Sequence, residues 1–328
     1  MKKVLIIVAA TLMTAAVFTS CKKDETKTCK ECDCTYVVTF VNDGNVVNEI
    51  LAAEGSLLKM PTLKPQTGYK FDGWYTDNNK TNQWDFAKSK VVSDTTLYAN
   101  WREVVKLVQS ITDFSGSYVT KYEYDAQDRI KKTQYYDFLT TPGDEPMETN
   151  IFYYESNELV KIETERNASI FMTNEYEKEG NTITQLINQE DKYFNKRILE
   201  LNSQGYTQKV EFINMSDGSV SNFYTFEYEN GNITKVHYER SGYTEDDNLK
   251  YDKRKSPLYH CKTPKWYLSC LITGYTGGYH SRNNVVYYSA LNGSWEFEYE
   301  MEYDDDGYPV KKKHESGQAE TYTYYPAK

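Results

Sequence analysis

The sequence predicts an all-β-dominated chain, a small β module followed by a large antiparallel meander of β-hairpins that is curved or barrel-like. Three observations predict it. Tyrosine is in great excess, 31 Tyr against 13 Phe and 5 Trp, and it suits strands with one buried and one wet face. Trp295, Phe297, Tyr299, Met301 and Tyr303 alternate with Glu296, Glu298, Glu300 and Glu302, a period of two that excludes a helix. A short pattern of strand, turn and strand also recurs along the C-terminal two thirds of the chain.

The N-terminus reads as an address. Lys2 and Lys3 precede an apolar run from Val4 to Phe18, broken only by Thr11 and Thr14. That run is too short to span a bilayer and suits a signal-peptide core. It ends in Phe18-Thr19-Ser20-Cys21, which resembles a lipobox. The resemblance implies that residues 1–20 are a leader, that Cys21 is acylated, and that several acyl tails anchor the chain in a membrane, each CH₂ contributing about 0.8 kcal/mol. Residues 21–35 form a tether. Its Lys22-Lys23-Asp24-Glu25 run resembles the surface-export signal of Bacteroidota lipoproteins and reads equally well as a solvated linker. The expected location is the cell envelope, lipid-anchored at the outer membrane, with exposure on the surface. Cys29 and Cys32, with Cys34, have a metal-like spacing, but neither a nearby His nor a second cysteine pair supports a metal site. In an oxidising compartment Cys261 and Cys270 can close a short loop by a disulfide if geometry permits.

The first module occupies residues 36–102. Tyr36 to Val41 is a β-branched and aromatic strand, Asn42-Asp43-Gly44-Asn45 a turn, and Val46 to Leu51 a returning strand. Gly73 lies between aromatics, where a strand needs a kink or a close backbone approach. Phe71, Trp74, Leu97, Tyr98 and Trp101 are the expected core; an exposed binding patch is the alternative reading. Phe71-Asp72-Gly73-Trp74-Tyr75-Thr76-Asp77, then Trp84-Asp85-Phe86, then Asp94, Thr96-Leu97-Tyr98-Ala99 and Trp101 resemble the Listeria–Bacteroides repeat, or internalin B-repeat. The resemblance implies a β-grasp-like module that spaces or binds and does not catalyse.

The second domain occupies residues 106–328. Copies of its unit include Tyr122-Glu123-Tyr124-Asp125, Tyr153-Tyr154-Glu155, Glu175-Tyr176-Glu177, Phe226-Glu227-Tyr228-Glu229 and Glu302-Tyr303-Asp304, each followed by a polar or Gly turn and an apolar residue. A weaker copy lies at Leu199 to Tyr206. Each unit reads as one hairpin, and about twelve such strands would have to curl or close to protect their edges. The Tyr-Asp-x-x-Gly units resemble YD-type repeats. With Tyr251-Asp252, Lys255-Ser256-Pro257-Leu258 and Ser281-Arg282-Asn283-Asn284-Val285 they also resemble a Bacteroides lipoprotein family of unknown function with a porin-like fold. The resemblance implies no activity, and the strands lack the lipid-facing apolar band and aromatic girdles of a membrane pore.

An insertion at about 241–284 interrupts the repeat. It holds Cys261, Cys270, Trp266, Tyr275 and Tyr279. Trp266, Tyr275 and Tyr279 are candidates to line a sugar or peptide site; a loop capping one end of the sheet is the alternative. His237, His260, His280 and His314 show no zinc spacing, and no nucleophile elbow, phosphate loop or dinucleotide fingerprint occurs. Asp304-Asp305-Asp306-Gly307 reads as a turn rather than a calcium loop. No catalytic residue, metal or cofactor is nominated. The formal net charge of -10 argues against a nucleic-acid partner, and no pattern speaks for an oligomeric state. The expected function is glycan or protein binding or adhesion without catalysis. The alternatives are a structural or accessory envelope lipoprotein of an uptake system and, more remotely, an unrecognised hydrolase.

Cys21→Ala should abolish acylation. Metabolic labelling with a fatty-acid probe checks this, and retained label defeats the anchor.

Overall fold

The structure, a computed structural model, describes residues 34–139, 145–189, 192–269 and 281–328. Cys21 and the tether cysteines Cys29 and Cys32 lie outside them. The chain divides into two units: the described residues up to Lys64 with Phe71–Arg102, and Pro65–Lys70 with Glu103–Lys328.

The first unit is a four-stranded sheet of β1 (Thr35–Asn42), β2 (Asn45–Ala53), β3 (Tyr69–Tyr75) and β4 (Thr95–Glu103), ordered β2-β1-β4-β3. β1 and β2 are an antiparallel hairpin, whereas β1 and β4 pair in parallel, the β-grasp arrangement. Val38, Phe40, Leu97 and Ala99 point inward with Val91 onto Trp74. Trp74 is fully buried, edge-on to Phe40 at 4.9 Å and Phe71 at 5.9 Å. Tyr98, expected in this core, is not part of it. Leu97 and Ala99 hold the inward positions, and the period of two turns Tyr98 to the opposite face, where Lys80 Nζ lies 4.8 Å from its ring. Gly73 has φ of 138°, and a Cβ there would stand 2.3 Å from Gln83 Nε2, which donates to the Asp72 carbonyl. The glycine therefore admits a side chain that ties down the strand's own backbone.

The second unit is a closed antiparallel barrel. Its strands begin with β5 (Val108–Thr112), β6 (Tyr118–Tyr124), β7 (Ile130–Asp137), β8 (Glu148–Glu155), β9 (Glu158–Arg166), β10 (Ser169–Glu179), β11 (Thr182–Gln189) and β12 (Lys192–Leu201). They continue with β13 (Thr207–Ile213), β14 (Val220–Glu229), β15 (Asn232–Arg240), β16 (Tyr243–Lys255), β17 (Asn283–Ala290), β18 (Trp295–Tyr303), β19 (Pro309–His314) and β20 (Ala319–Tyr324). β20 returns to β5, with Tyr324 opposite Val108, so no edge is left open. Sixteen strands replace the expected twelve, because strands such as β7 and β17 lack the Tyr-x-Tyr signature. A further correction is that β16 lies inside the expected insertion, hidden because its inward residues Glu245 and Asp247 are acidic. The clean alternation from Trp295 to Tyr303 is β18, third from last.

The repeated unit has a structural meaning. All its turns lie at one end of the barrel. In five hairpins the ladder slips by one residue beside the turn, a β-bulge. The pair on the turn side of each bulge then faces inward: Tyr124 opposite Ile130, Tyr154 opposite Leu159, Leu201 opposite Thr207, Tyr228 opposite Ile233, and Tyr303 opposite Pro309. The next pair out faces water as Glu123–Lys132, Tyr153–Lys161, Glu200–Lys209, Glu227–Lys235 and Glu302–Lys311. Three of the turns are further closed by a side chain. The Oδ1 atoms of Asp125, Asn202 and Asp304 each accept from the amides two and four residues ahead, at 2.9–3.1 Å.

The bulge takes the inward residue after the turn out of the regular ladder, and at Ile130, Thr207, Ile233 and Pro309 a tyrosine of a neighbouring strand claims its carbonyl. Tyr154 donates to Ile130 O at 2.7 Å, Tyr228 to Thr207 O at 2.5 Å, Tyr251 to Ile233 O at 2.6 Å and Tyr324 to Pro309 O at 2.8 Å. Burial raises the phenol pKa of Tyr154, Tyr251 and Tyr324, which keeps these donors protonated.

The wall is sided. Inward residues such as Leu159, Ile183, Leu199, Val210, Phe226 and Ile233 are buried in one core. Outward residues are charged and paired, along one strand in Lys209–Glu211 at 2.6 Å and across strands in Lys235–Asp246 at 2.8 Å. At the far rim the pattern changes. Among the described residues, and except for Tyr153, the barrel's exposed large apolar side chains all sit there: Phe138, Leu139, Met147, Ile170, Met215, Val220, Tyr243, Leu291 and Trp295. Among the described residues no helix is long and apolar enough to cross a membrane.

Trp74→Ala should destabilise the first unit by about 3–5 kcal/mol, the usual loss for a buried large aromatic; an unchanged denaturant midpoint for that unit counts against it. Burial opposes the charge of Asp125, but the Arg129 and Gln127 amides and the Arg129 guanidinium outweigh it and lower the carboxyl pKa. A lowered folded pKa gives stability that is present above the unfolded value and lost as pH falls through the folded one. Asp125→Asn should therefore melt below the parent at neutral pH, and the gap should close below about pH 4; a pH-independent gap in melting temperature refutes this.

Candidate functional site

Between β16 and β17 the described residues leave the wall and plug the barrel end that carries the repeat turns. Leu258, Cys261, Trp266 and Leu268 join the barrel core. A short helix, α1 (Lys265–Ser269), carries Trp266 inward. Three hydroxyls hold this plug in register. Ile130 N donates to Thr263 Oγ1 at 2.8 Å, Thr207 N to Ser269 Oγ at 3.2 Å, and Ile233 N to Ser281 Oγ at 3.1 Å. These amides belong to the same bulge-flanking residues whose carbonyls take tyrosine hydroxyls. The fourth such residue is Pro309, which has no N–H to satisfy. Thr207 Oγ1 completes the attachment by donating to Trp266 O at 2.9 Å.

The plug's outer surface forms an open cleft of about 580 Å³. Lys262, Lys265 and Arg282 are exposed along it, and Tyr206 and Tyr259 lie half-buried beneath. Lys265 Nζ lies 4.9 Å from the Tyr206 ring centre, and the Arg282 guanidinium 5.7 Å from that of Tyr259. Glu103 is the carboxylate at the cleft. Burial works against its charge, but Lys255, bonded at 2.8 Å, holds the carboxyl below its usual range. His260 and Cys261 form the buried floor.

The floor does not resemble a thiol nucleophile. Burial pushes the Cys261 thiol up, whereas burial and the Lys255 charge push His260 down. An activated pair needs the opposite shifts, a stabilised thiolate beside a protonated imidazole. The acidic run at Asp304 is likewise occupied by structure: Lys106 Nζ bridges Asp304 and Asp306 at 2.7 and 2.6 Å. Among the described residues no group of three potential metal ligands occurs.

The residues nominated from sequence are not brought together. Trp266 is 3% exposed and packs on Tyr176 at 5.2 Å, so it belongs to the core and not to the cleft. Tyr275, Tyr279 and Cys270 lie outside the described residues, and with them the Cys261–Cys270 pairing. The sequence reading missed Lys262, Lys265 and Arg282. Their signal was available as three cations within a short stretch of an acidic chain, but they join only when the plug folds back onto the barrel.

Residues 36–100 match the Listeria-Bacteroides repeat domain, as the aromatic motifs of that segment imply, and the match ends before β5. Two proteins of Evansella cellulosilytica, provisionally named a membrane protein and a Gly-rich membrane protein, are 37% identical over 89 residues and 39% identical over 93 residues. Those segments are 27% and 28% of this chain, and the chain spans only 13% and 10% of those curated relatives. Among solved structures, a porin-like protein from Bacteroides uniformis aligns with a TM-score of 0.44 and 14% identity over 66% of this chain and 98% of its own. A porin-like protein from Bacteroides vulgatus aligns with a TM-score of 0.31 and 12% identity over 68% and 100%.

Thr263→Val leaves the buried Ile130 amide without its acceptor. Such a group typically costs about 1–3 kcal/mol, so the barrel's melting temperature should fall. An unchanged melt would mean that Thr263 does not anchor the plug.

Proposed function

We propose that this chain is a lipid-anchored cell-envelope protein, exposed at the outer membrane, whose barrel is a non-catalytic binding module for a glycan or a protein. The first unit serves as a spacer or interaction module. The observation that carries the reading is the sidedness of the barrel wall. Glu and Lys face outward in cross-strand pairs, and aliphatic and tyrosine side chains fill the inside. A membrane-spanning barrel needs the reverse, since one Lys or Arg at the bilayer midplane costs about 2–4 kcal/mol. The barrel is accordingly read as a water-facing scaffold rather than a pore, with the plug cleft as its binding surface. The membrane address rests on the lipobox-like Phe18-Thr19-Ser20-Cys21.

A Thr35–Lys328 fragment tests both parts. It should stay monodisperse without detergent, and it should bind members of a glycan array or capture a protein ligand. A fragment that needs detergent to remain in solution overturns the water-facing wall.

One observation favours a second reading, an accessory subunit of an envelope uptake complex. The apolar side chains of the far rim come from separate hairpins and gather at one end of the barrel, as a docking surface would. A photo-crosslinker at Leu139 or Trp295 should then capture one partner reproducibly.

A further inference from the structure

We propose that the cleft over the plug binds an oxyanion-bearing ligand, one that presents a carboxylate, sulfate or phosphate group. The inference deepens the binding-module reading and rests on it. It begins from a charge imbalance. The chain has a formal net charge of -10, yet this cleft of about 580 Å³ gathers Lys262, Lys265 and Arg282 against one carboxylate, Glu103. Glu103 is already engaged by Lys255 at 2.8 Å. Among the described residues no carboxylate lies within 4.0 Å of Lys262, Lys265 or Arg282. Asp128, whose backbone carbonyl meets the plug at Lys262 N, has its carboxylate held by Lys328.

Elsewhere on the barrel, several cations are paired with acids, although Lys121, Lys250 and Arg254 also lie on aromatic rings. Lys209 pairs with Glu211, Lys235 with Asp246 and Lys313 with Glu302. At the cleft, Lys265 and Arg282 instead rest on the faces of Tyr206 and Tyr259, and Arg282 Nη2 donates to Tyr259 Oη at 3.4 Å. Aromatic faces orient a cation without neutralising it, so the charge stays available to an incoming anion.

The second observation is independent of these surface charges. His260 lines the cleft and is only 7% exposed, and its Nε2 has no hydrogen-bond partner. The nearest charged oxygen, Glu103 Oε1, is 3.7 Å away, beyond a hydrogen bond. A buried polar atom without a partner costs stability unless something else satisfies it. Nε2 itself is closed to solvent in this structure, so a ligand oxygen seated between His260 and the exposed cations would supply the missing contact once the side chains over that atom part. Guanidinium and ammonium donors in one recess suit an oxyanion.

The test uses the full chain, purified in a neutral detergent, and isothermal titration calorimetry at low salt. The probes are an oligo-uronate, the neutral oligosaccharide of the same length, inorganic phosphate and inorganic sulfate. The expected result is binding of at least one anionic probe, with the neutral sugar at least about tenfold weaker. Affinity should fall as salt rises. Lys265→Ala with Arg282→Ala, both exposed and checked for an unchanged melt, should weaken binding by about tenfold or more. His260→Asn, which keeps a polar group at the floor, should lose less than His260→Leu. Uronate binding without phosphate binding names an acidic glycan, and the reverse names a phosphate ester; both uphold the proposal. Silence from every anionic probe up to about 10 mM overturns it, as does anion binding unchanged in the Lys265/Arg282 double variant. A neutral glycan that still binds that double variant would leave the binding-module reading standing while removing the oxyanion.

Discussion

The barrel depends on how it handles the one residue that each bulge detaches from the ladder. A bulge beside a turn leaves a backbone carbonyl and amide facing a dry interior, and buried groups of that kind must find partners. Here the carbonyl is taken by a tyrosine from the neighbouring hairpin, and the amide by a serine or threonine of the plug. The same three residues, Ile130, Thr207 and Ile233, receive both. The wall and its plug are thus joined through atoms that neither could satisfy alone. This also explains tyrosine rather than phenylalanine at Tyr154, Tyr228, Tyr251 and Tyr324, where phenylalanine would fill the same volume and leave the carbonyl bare. Tyr303 donates to Asp252 instead, and the Tyr124 hydroxyl has no partner among the described residues.

That constraint explains what could be read from the sequence and what could not. The hairpin unit was legible because each of its positions has a fixed job: outward acid, inward tyrosine, turn, inward apolar residue, outward lysine. Glu227-Tyr228 through Ile233 to Lys235 shows all of them. Strand number was less legible. β16 carries Glu245 and Asp247 inward, where Asp247 accepts from Tyr288 at 2.7 Å, so its alternation vanishes in a run of polar letters. In the first unit the aromatics gave away Trp74 but also suggested Tyr98, because the letters alone do not say which parity faces the core.

The candidate site was the least legible part, for a physical reason. A ladder position has a partner fixed by register, whereas the plug's residues acquire neighbours only through long-range closure: Tyr206 meets Lys265, and Ile130 meets Thr263. Trp266 drew attention as an aromatic in an irregular segment, the usual profile of a ligand-binding side chain. Its surroundings make it the opposite, a hydrophobic anchor that holds the segment down so that its charged neighbours can face outward.

The division of labour within the plug follows from helix and loop geometry over a few residues. Thr263, Trp266 and Ser269 face the barrel, and Lys262 and Lys265 face solvent. The inward set repeats every third residue, as one face of a turn or short helix does. An anchoring face of hydroxyls and indole fixes the height and rotation of the segment, and the cations on its other side inherit that rigidity. Three of the plug's hydroxyls are bound to separate hairpins of a closed sheet, so a shift of the cleft would break several buried hydrogen bonds at once. The recess is therefore held in advance of any ligand, and a ligand would gain its contacts without the entropic cost of ordering a loop.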